Sequence, residues 1–188
     1  MFPIHDQTGR VVAFGGRAMS EEERAKYLNS PESALFDKSS LVYGLHFSRE
    51  EIVKRKQAIV VEGYLDVLIP HQAGVTNIVA TLGTSLTDRH VRLLSRYAEE
   101  VVLLFDADEA GAKAAERALE LFLAQKINVR VATIPEGKDP ADYVLSHGGE
   151  ALRTLIDNAP DALEYLWQKR SAQLTDANPA QRQQIVDS

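Results

Sequence analysis

Between residues 57 and 135 the chain changes rhythm four times, and this alternation limits its fold more than any other feature. "AIVVEG" is a short β-branched run of the kind found in strands covered on both faces. "YLDVLIPHQAG" then has helical spacing and stops at Gly74, with Pro70 expected to kink or split it. "NIVAT" reads as strand, "LGTSL" as loop, and "TDRHVRLLSRYA" as a helix capped by Thr87. "EVVLLF" is strand again, "EAGAKAAERALELFLAQ" is the strongest helix in the chain, and "NVRVATIP" is a fourth strand. Strand and helix in this order predict an α/β fold with a mostly parallel, Rossmann-like sheet flanked by helices.

The flanks read differently. At the amino end, "FPIHDQTGRVVAFGGR" predicts a hairpin, with Asp6 to Gly9 as its turn and Val11 to Phe14 as the returning strand. The polar stretch that follows has no sustained period and reads as ordered loop, with Tyr27, Leu28, Leu35 and Phe36 to bury. A short helix is expected over Ser48 to Lys56, capped by Ser48 with Glu51 in the reciprocal position. After Pro135 the pattern turns helical. "DANPAQRQQIVDS" reads as a helix beginning at the last residues, so the chain is expected to be a piece of something longer.

Three bulk properties narrow the chemistry. The absence of cysteine excludes disulfides, thiolate metal sites and a cysteine nucleophile from this segment. No apolar run reaches ~18 residues, so no membrane-spanning helix is expected. The net charge of −6 argues against a strongly basic nucleic-acid surface, although an average can hide a carboxylate cluster beside separate basic residues.

In open parallel sheets, ligands bind beyond the carboxyl ends of the strands. Read in order, those ends carry acids. The first strand runs into Glu62 and Gly63, with Asp66 one helical turn on; the third ends at Asp106 and Asp108; the fourth leads to Asp139 and Asp142. Carboxylates crowded at one edge raise one another's proton affinity unless a cation sits among them. Carboxylate and water ligation without His or Cys suits Mg²⁺ or Mn²⁺ rather than zinc, and points to phosphoryl or nucleotidyl transfer. The D-x-D pattern alone carries little, since phosphatases, sugar transferases and response regulators share it. Arg92, Arg96, Lys113 and Arg117 read as exposed helix faces, and the five histidines have no metal-ligand spacing.

"VVEGYLDVL", followed by "LLFDADEAG", resembles the two signatures of the Toprim domain, a strand-end Glu and then a D-x-D. With "MFPIHDQTGRVVAFGGR", "KYLNSPESALFDKSSLVYGL" and "GKDPADYV", the resemblance is to the RNA polymerase core of bacterial replicative primases, from Met1 to about residue 170. It implies three parts: 1–56 from the amino-terminal subdomain of that core, 57–146 as Toprim domain, and 147–188 as a carboxy-terminal helical segment. It also implies a cytoplasmic, replisome-associated enzyme that makes short RNA primers on single-stranded DNA from ribonucleoside triphosphates.

By motif, the resemblance makes Glu62, Asp106 and Asp108 catalytic and metal-binding, with Asp66 and Asp139 supporting the metal. Arg17, Lys26, Asn29 and Lys38 match positions that contact nucleotide phosphates or template, and Tyr64 and Gly83 would line the same site. Glu62 could ligate metal or act as general base, and both roles stay open. Ala141 stands where the family commonly has a second Asp, with Asp142 one residue later. In such primases zinc belongs to a separate amino-terminal domain, and the replicative helicase binds a further carboxy-terminal domain; neither is recognisable here. An isolated piece of this extent is expected to be a weak or inactive polymerase. A Toprim nuclease or topoisomerase piece and a non-catalytic metal-binding module are the alternatives.

Overall fold

The computed structural model describes residues 1–18, 27–105, 117–119, 121–122, 125, 127–135 and 139–176. Its centre is a four-stranded parallel sheet in the order β5-β4-β6-β7. The strands are β4 (Gln57–Val61), β5 (Ile78–Ala80), β6 (Glu100–Phe105) and β7 (Asn128–Thr133). Alternate residues of each strand feed opposite cores, as the two-residue period requires. Ala58, Val60, Val101 and Leu103 enter one cluster with Val91, Leu94 and Phe122. Ile59, Val61, Val102 and Leu104 enter the other with Val67, Leu152 and Ile156. A fully buried aliphatic side chain contributes about 1.5–3 kcal/mol, so burial on both faces explains the nearly unbroken apolar runs.

Among the described residues, the helices with defined ends are α1 (Leu45–Arg55), α2 (Tyr64–Gln72), α3 (Asp88–Leu94), α4 (Pro140–His147), α5 (Gly149–Asp157) and α6 (Ala162–Asp176). Most of the helix expected from Glu109 onward lies outside the described residues, as does the final helix expected after Asn178; 117–119 and 121–122 are helical. Thr87 caps α3 as expected, and His90 closes a capping box with it. Pro70 does not split α2. It is buried two residues before the helix ends, so the single bond it cannot donate, to the carbonyl of Asp66, is lost in the last turn.

Two amino-terminal expectations are corrected. The helix start is not Ser48: α1 begins at Leu45 after Gly44, whose φ of 87° suits glycine. Ser48 is buried inside the helix and donates its hydroxyl to the Ile78 carbonyl at 2.8 Å. Glu51 pairs with Arg55 instead of capping. The stretch read as loop contains a strand, β3 (Tyr27–Asn29). With β1 (Phe2–His5) and β2 (Val11–Arg17), it forms an antiparallel sheet in the order β1-β2-β3. The returning hairpin strand therefore extends three residues past Phe14. That extension puts Arg17 at the end of β2, opposite Tyr27.

Tyr64 joins this small sheet to the large one. Its ring stacks on Phe2 at 4.8 Å and meets Tyr43 edge-on at 4.7 Å. A Cβ on Gly15 would overlap the Tyr64 ring, so glycine at that position permits the close approach. Tyr43 also bridges to Ala80, satisfying backbone groups on the outer edge of β5.

Candidate active site

Chain order reverses across β4: β5 lies on one side of it and β6 on the other. That is the topological switch point at which ligand crevices form in open α/β sheets. Past the end of β4, Gly63 is extended at the N-cap of α2 and supplies no side-chain cap. A Cβ there would come within 2.5 Å of Asp66 Oδ2, so glycine leaves room for the Asp66 carboxylate to fold back over the helix start. Asp66 Oδ1 accepts the Ala141 N–H at 3.3 Å. Asp139 caps α4 by accepting the Asp142 N–H on Oδ1 at 2.7 Å, with Pro140 in the first helical turn. Both carboxylates thus sit at helix amino ends, where the macrodipole favours negative charge by about 0.3–1 kcal/mol each.

The space between these helix starts and the small sheet is a cleft of about 600 Å³. Arg17, Tyr27, Glu62, Asp66, Gly83, Asp139 and Asp142 line it. The Arg17 guanidinium stands 5.8 Å from the Tyr27 ring centroid. Burial raises the Tyr27 phenol above its usual pKa; Asp66 and Asp139 push the same way, and Arg17 opposes them. Gly83 enters the cleft wall with φ 71°, a left-handed conformation that glycine adopts freely.

Four carboxylates, two from the β4–α2 junction and two from the start of α4, therefore share one cavity with Arg17. An oxygen-only donor set of this kind fits a hard divalent cation and phosphate oxygens, not zinc. Among the described residues, no three acidic or imidazole groups come together closely enough to hold a metal ion alone. The expected D-x-D pair, Asp106 and Asp108, lies outside the described residues, and so does Lys26. The strand leading to that pair is β4's neighbour. In the β4–β6 register Gln57 faces Glu100 and Val60 faces Leu103; carried two residues further, it brings Phe105 level with Glu62.

The remaining expected residues hold other positions. Tyr64 is buried, with its phenol pushed up to about 12 by burial and by Tyr43. Its hydroxyl donates to Asn29 Oδ1 at 2.5 Å, and Asn29 Nδ2 donates to the Leu82 carbonyl at 2.9 Å. This relay ties β3 to the loop that carries Gly83. Lys38 is not among the residues lining the cleft, and its carbonyl is held by His90 Nε2 at 2.8 Å. Tyr27 was read from sequence only as something to bury. It stands two residues before Asn29 on β3, a strand too short to show a period in the sequence, so no sequence signal placed it in the cleft.

Comparison with known proteins bears on both sheets. A family described as "Toprim-like" matches residues 59–144, and one described as "DNA primase catalytic core, N-terminal domain" matches residues 1–49. The chain is 49% identical over 171 residues to a DNA primase of Synechococcus elongatus, covering 88% of this chain and 24% of that protein. It resembles the solved RNA polymerase domain of Mycobacterium tuberculosis primase DnaG in complex with double-stranded DNA. That similarity has a TM-score of 0.81 and 34% identity, covering 98% of this chain and 67% of that one. A DnaG primase catalytic domain solved bound to ssDNA gives a TM-score of 0.84 and 36% identity, over 98% of this chain and 60% of that one. The chain spans only about a quarter of the length of the first curated relatives it matches.

Proposed function

The chain belongs to the bacterial DNA primase family, and we propose that it forms part of the RNA polymerase core of such an enzyme. Its reaction would be template-directed nucleotidyl transfer from ribonucleoside triphosphates to an RNA primer on single-stranded DNA. The observation that carries this reading is the cleft at the switch point, where Glu62, Asp66 and Asp139 face Arg17. The bound DNA in two structural relatives supports a nucleic-acid substrate.

Glu62, with Asp106 and Asp108, would hold Mg²⁺ or Mn²⁺, and Asp66 and Asp139 would support them. When bound, such cations neutralise phosphate charge and lower the pKa of an attacking hydroxyl. Arg17 offers a planar fork suited to phosphate oxygens, and stacking on Tyr27 limits the directions it can take. Tyr27, a phenol neutral at physiological pH whose pKa burial raises further, can donate a hydrogen bond into the cleft without adding charge. Lys26 and Lys38 would contribute positive charge toward phosphates or template. Asn29 and Tyr64 would act by fixing the loop of Gly83, whose missing side chain lets a ligand approach the backbone. Replicative helicase contact would fall to a further carboxy-terminal domain of the parent protein.

Electron paramagnetic resonance of Mn²⁺, titrated with this chain and ATP, tests the reading. The expected result is that chain and nucleotide together remove free Mn²⁺ signal more strongly than either does alone, and that Glu62→Gln weakens the effect about tenfold or more. An unchanged titration in Glu62→Gln would sink the assignment of this cleft.

A further inference from the structure

A second built concavity lies away from the cleft, between α3 and the 34–41 loop. It holds about 510 Å³, within the range of ligand-binding pockets. The loop is pinned to α3 at three points. Arg89 Nη1 meets Asp37 Oδ2 at 2.6 Å, Thr87 donates its hydroxyl to the Ser39 carbonyl at 2.6 Å, and His90 Nε2 contacts the Lys38 carbonyl at 2.8 Å. At the far end the Tyr97 hydroxyl donates to Gln7 Oε1 at 3.2 Å, tying in the β1–β2 turn. The groove is therefore preformed and would lose little entropy on binding.

Its lining has two chemistries. Arg89 and Arg92 lie on α3 at three-residue spacing, and Arg96 lines the same groove from the turn just past the end of that helix. Arg89 and Arg92 are matched by Asp37 and Asp88. Arg96 is exposed and has no ion-pair or side-chain hydrogen-bond partner among the described residues. Leu35, Leu41 and Leu93 supply the apolar part, and Leu35 is 71% exposed and so open to a partner.

We propose that this groove docks an acidic peptide carrying an apolar side chain, with a carboxylate on Arg96 and the apolar group on Leu35 and Leu41. Charge complementarity selects an anionic partner in a chain that is otherwise acidic. The aliphatic floor selects a peptide over a nucleic acid. Among the described residues no aromatic ring lines the groove to stack a base, and Asp37 adds a carboxylate to its wall that would repel a run of phosphates. A single uncommitted guanidinium suits one carboxylate better than a polyphosphate backbone.

Fluorescence anisotropy with a labelled peptide alternating aspartate and leucine tests this. A peptide alternating aspartate and glycine and a labelled single-stranded oligodeoxythymidine serve as comparisons. The expected result is saturable binding of the first peptide, at least about tenfold stronger than the glycine peptide, and a similar loss in both Arg96→Glu and Leu35→Asp. Both substitutions are exposed, and circular dichroism checks that each variant is folded. Binding that ignores either substitution, absence of binding at millimolar peptide, or stronger binding of the oligonucleotide with the same sensitivity to Arg96→Glu would each overturn the proposal. Measuring Mn²⁺ and ATP binding in both variants separates this groove from the cleft: those affinities stay unchanged.

Discussion

Asp66 Oδ1 accepts the backbone N–H of Ala141 at 3.3 Å, so one carboxylate joins the starts of two helices that are 75 residues apart in the chain. The contact uses only the backbone of Ala141, so it places no demand on the side chain there. Position 141 offers its backbone to Asp66, and Asp142, one residue later, lines the cleft.

Gly63→Ala should break this clip without straining the backbone, since φ −111° is open to any residue. The added Cβ would meet Asp66 Oδ2 and turn its carboxylate away from Ala141. Loss of one such hydrogen bond costs about 0.5–1.5 kcal/mol. Urea unfolding should show a loss of that size, together with weaker Mn²⁺-dependent nucleotide binding. A variant as stable as the parent, with unchanged binding, would mean that the clip is incidental.

Tyr64→Phe keeps the ring stack and removes only the hydroxyl, leaving Asn29 Oδ1 without its donor. The expected cost is about 1–3 kcal/mol, and Tyr64→Ala should exceed it at about 3–5 kcal/mol. The pH dependence is a sharper test. The folded phenol titrates near 12 against an ordinary 10, so its stabilisation is complete below pH 10 and is lost as pH rises through about 12. Tyr64→Phe should remove that alkaline component, as followed by unfolding at a series of pH values.

Much of the large sheet was legible because its strands are buried on both faces, and runs such as Val101 to Leu104 leave few alternatives. The acids at Glu62, Asp66 and Asp139 were legible for a related reason: strand ends in such a sheet converge. Ser48 misled because Ser-x-x-Glu matches a capping box. The real helix start depends on Gly44 turning out of the Tyr43–Ala80 bridge, a contact between distant segments. The strand Tyr27–Asn29 was invisible, since three residues carry no period and pairing with Gly15–Arg17 alone makes them a strand. Tyr64 could be named from its motif, but its role as the joint between sheets required the absence of a side chain at Gly15 opposite it.

Acid should destabilise the fold through His90. Thr87 N–H points at Nδ1 from 3.2 Å, so Nδ1 is assigned as acceptor and Nε2 as donor to the Lys38 carbonyl. Burial holds its pKa below the ordinary 6.5, against the upward pull of the Lys38 and Leu41 backbone contacts; burial moves His46 and His71 in the same direction. A depressed folded pKa means that the unfolded chain takes up protons first. Stability should therefore be full above pH 6.5 and fall as pH drops through the folded value. His90→Gln should flatten the acid limb of the urea midpoint measured against pH. An identical acid limb in that variant would show that His90 does not carry the effect.

Asp139 serves as a helix cap and stands in the proposed cation site, and two substitutions separate these roles. Asp139→Asn retains an oxygen for the Asp142 N–H, and asparagine caps helices about as well as aspartate. Asp139→Ala loses the cap and should cost about 0.5–2 kcal/mol. If the carboxylate supports a cation, Asp139→Asn should keep its unfolding midpoint yet weaken Mn²⁺-dependent ATP binding nearly as much as Asp139→Ala does. If the residue only positions α4, Asp139→Asn should bind like the parent, and the loss should appear in Asp139→Ala alone. The asparagine variant therefore decides between charge and capping, because it changes the first while preserving the second.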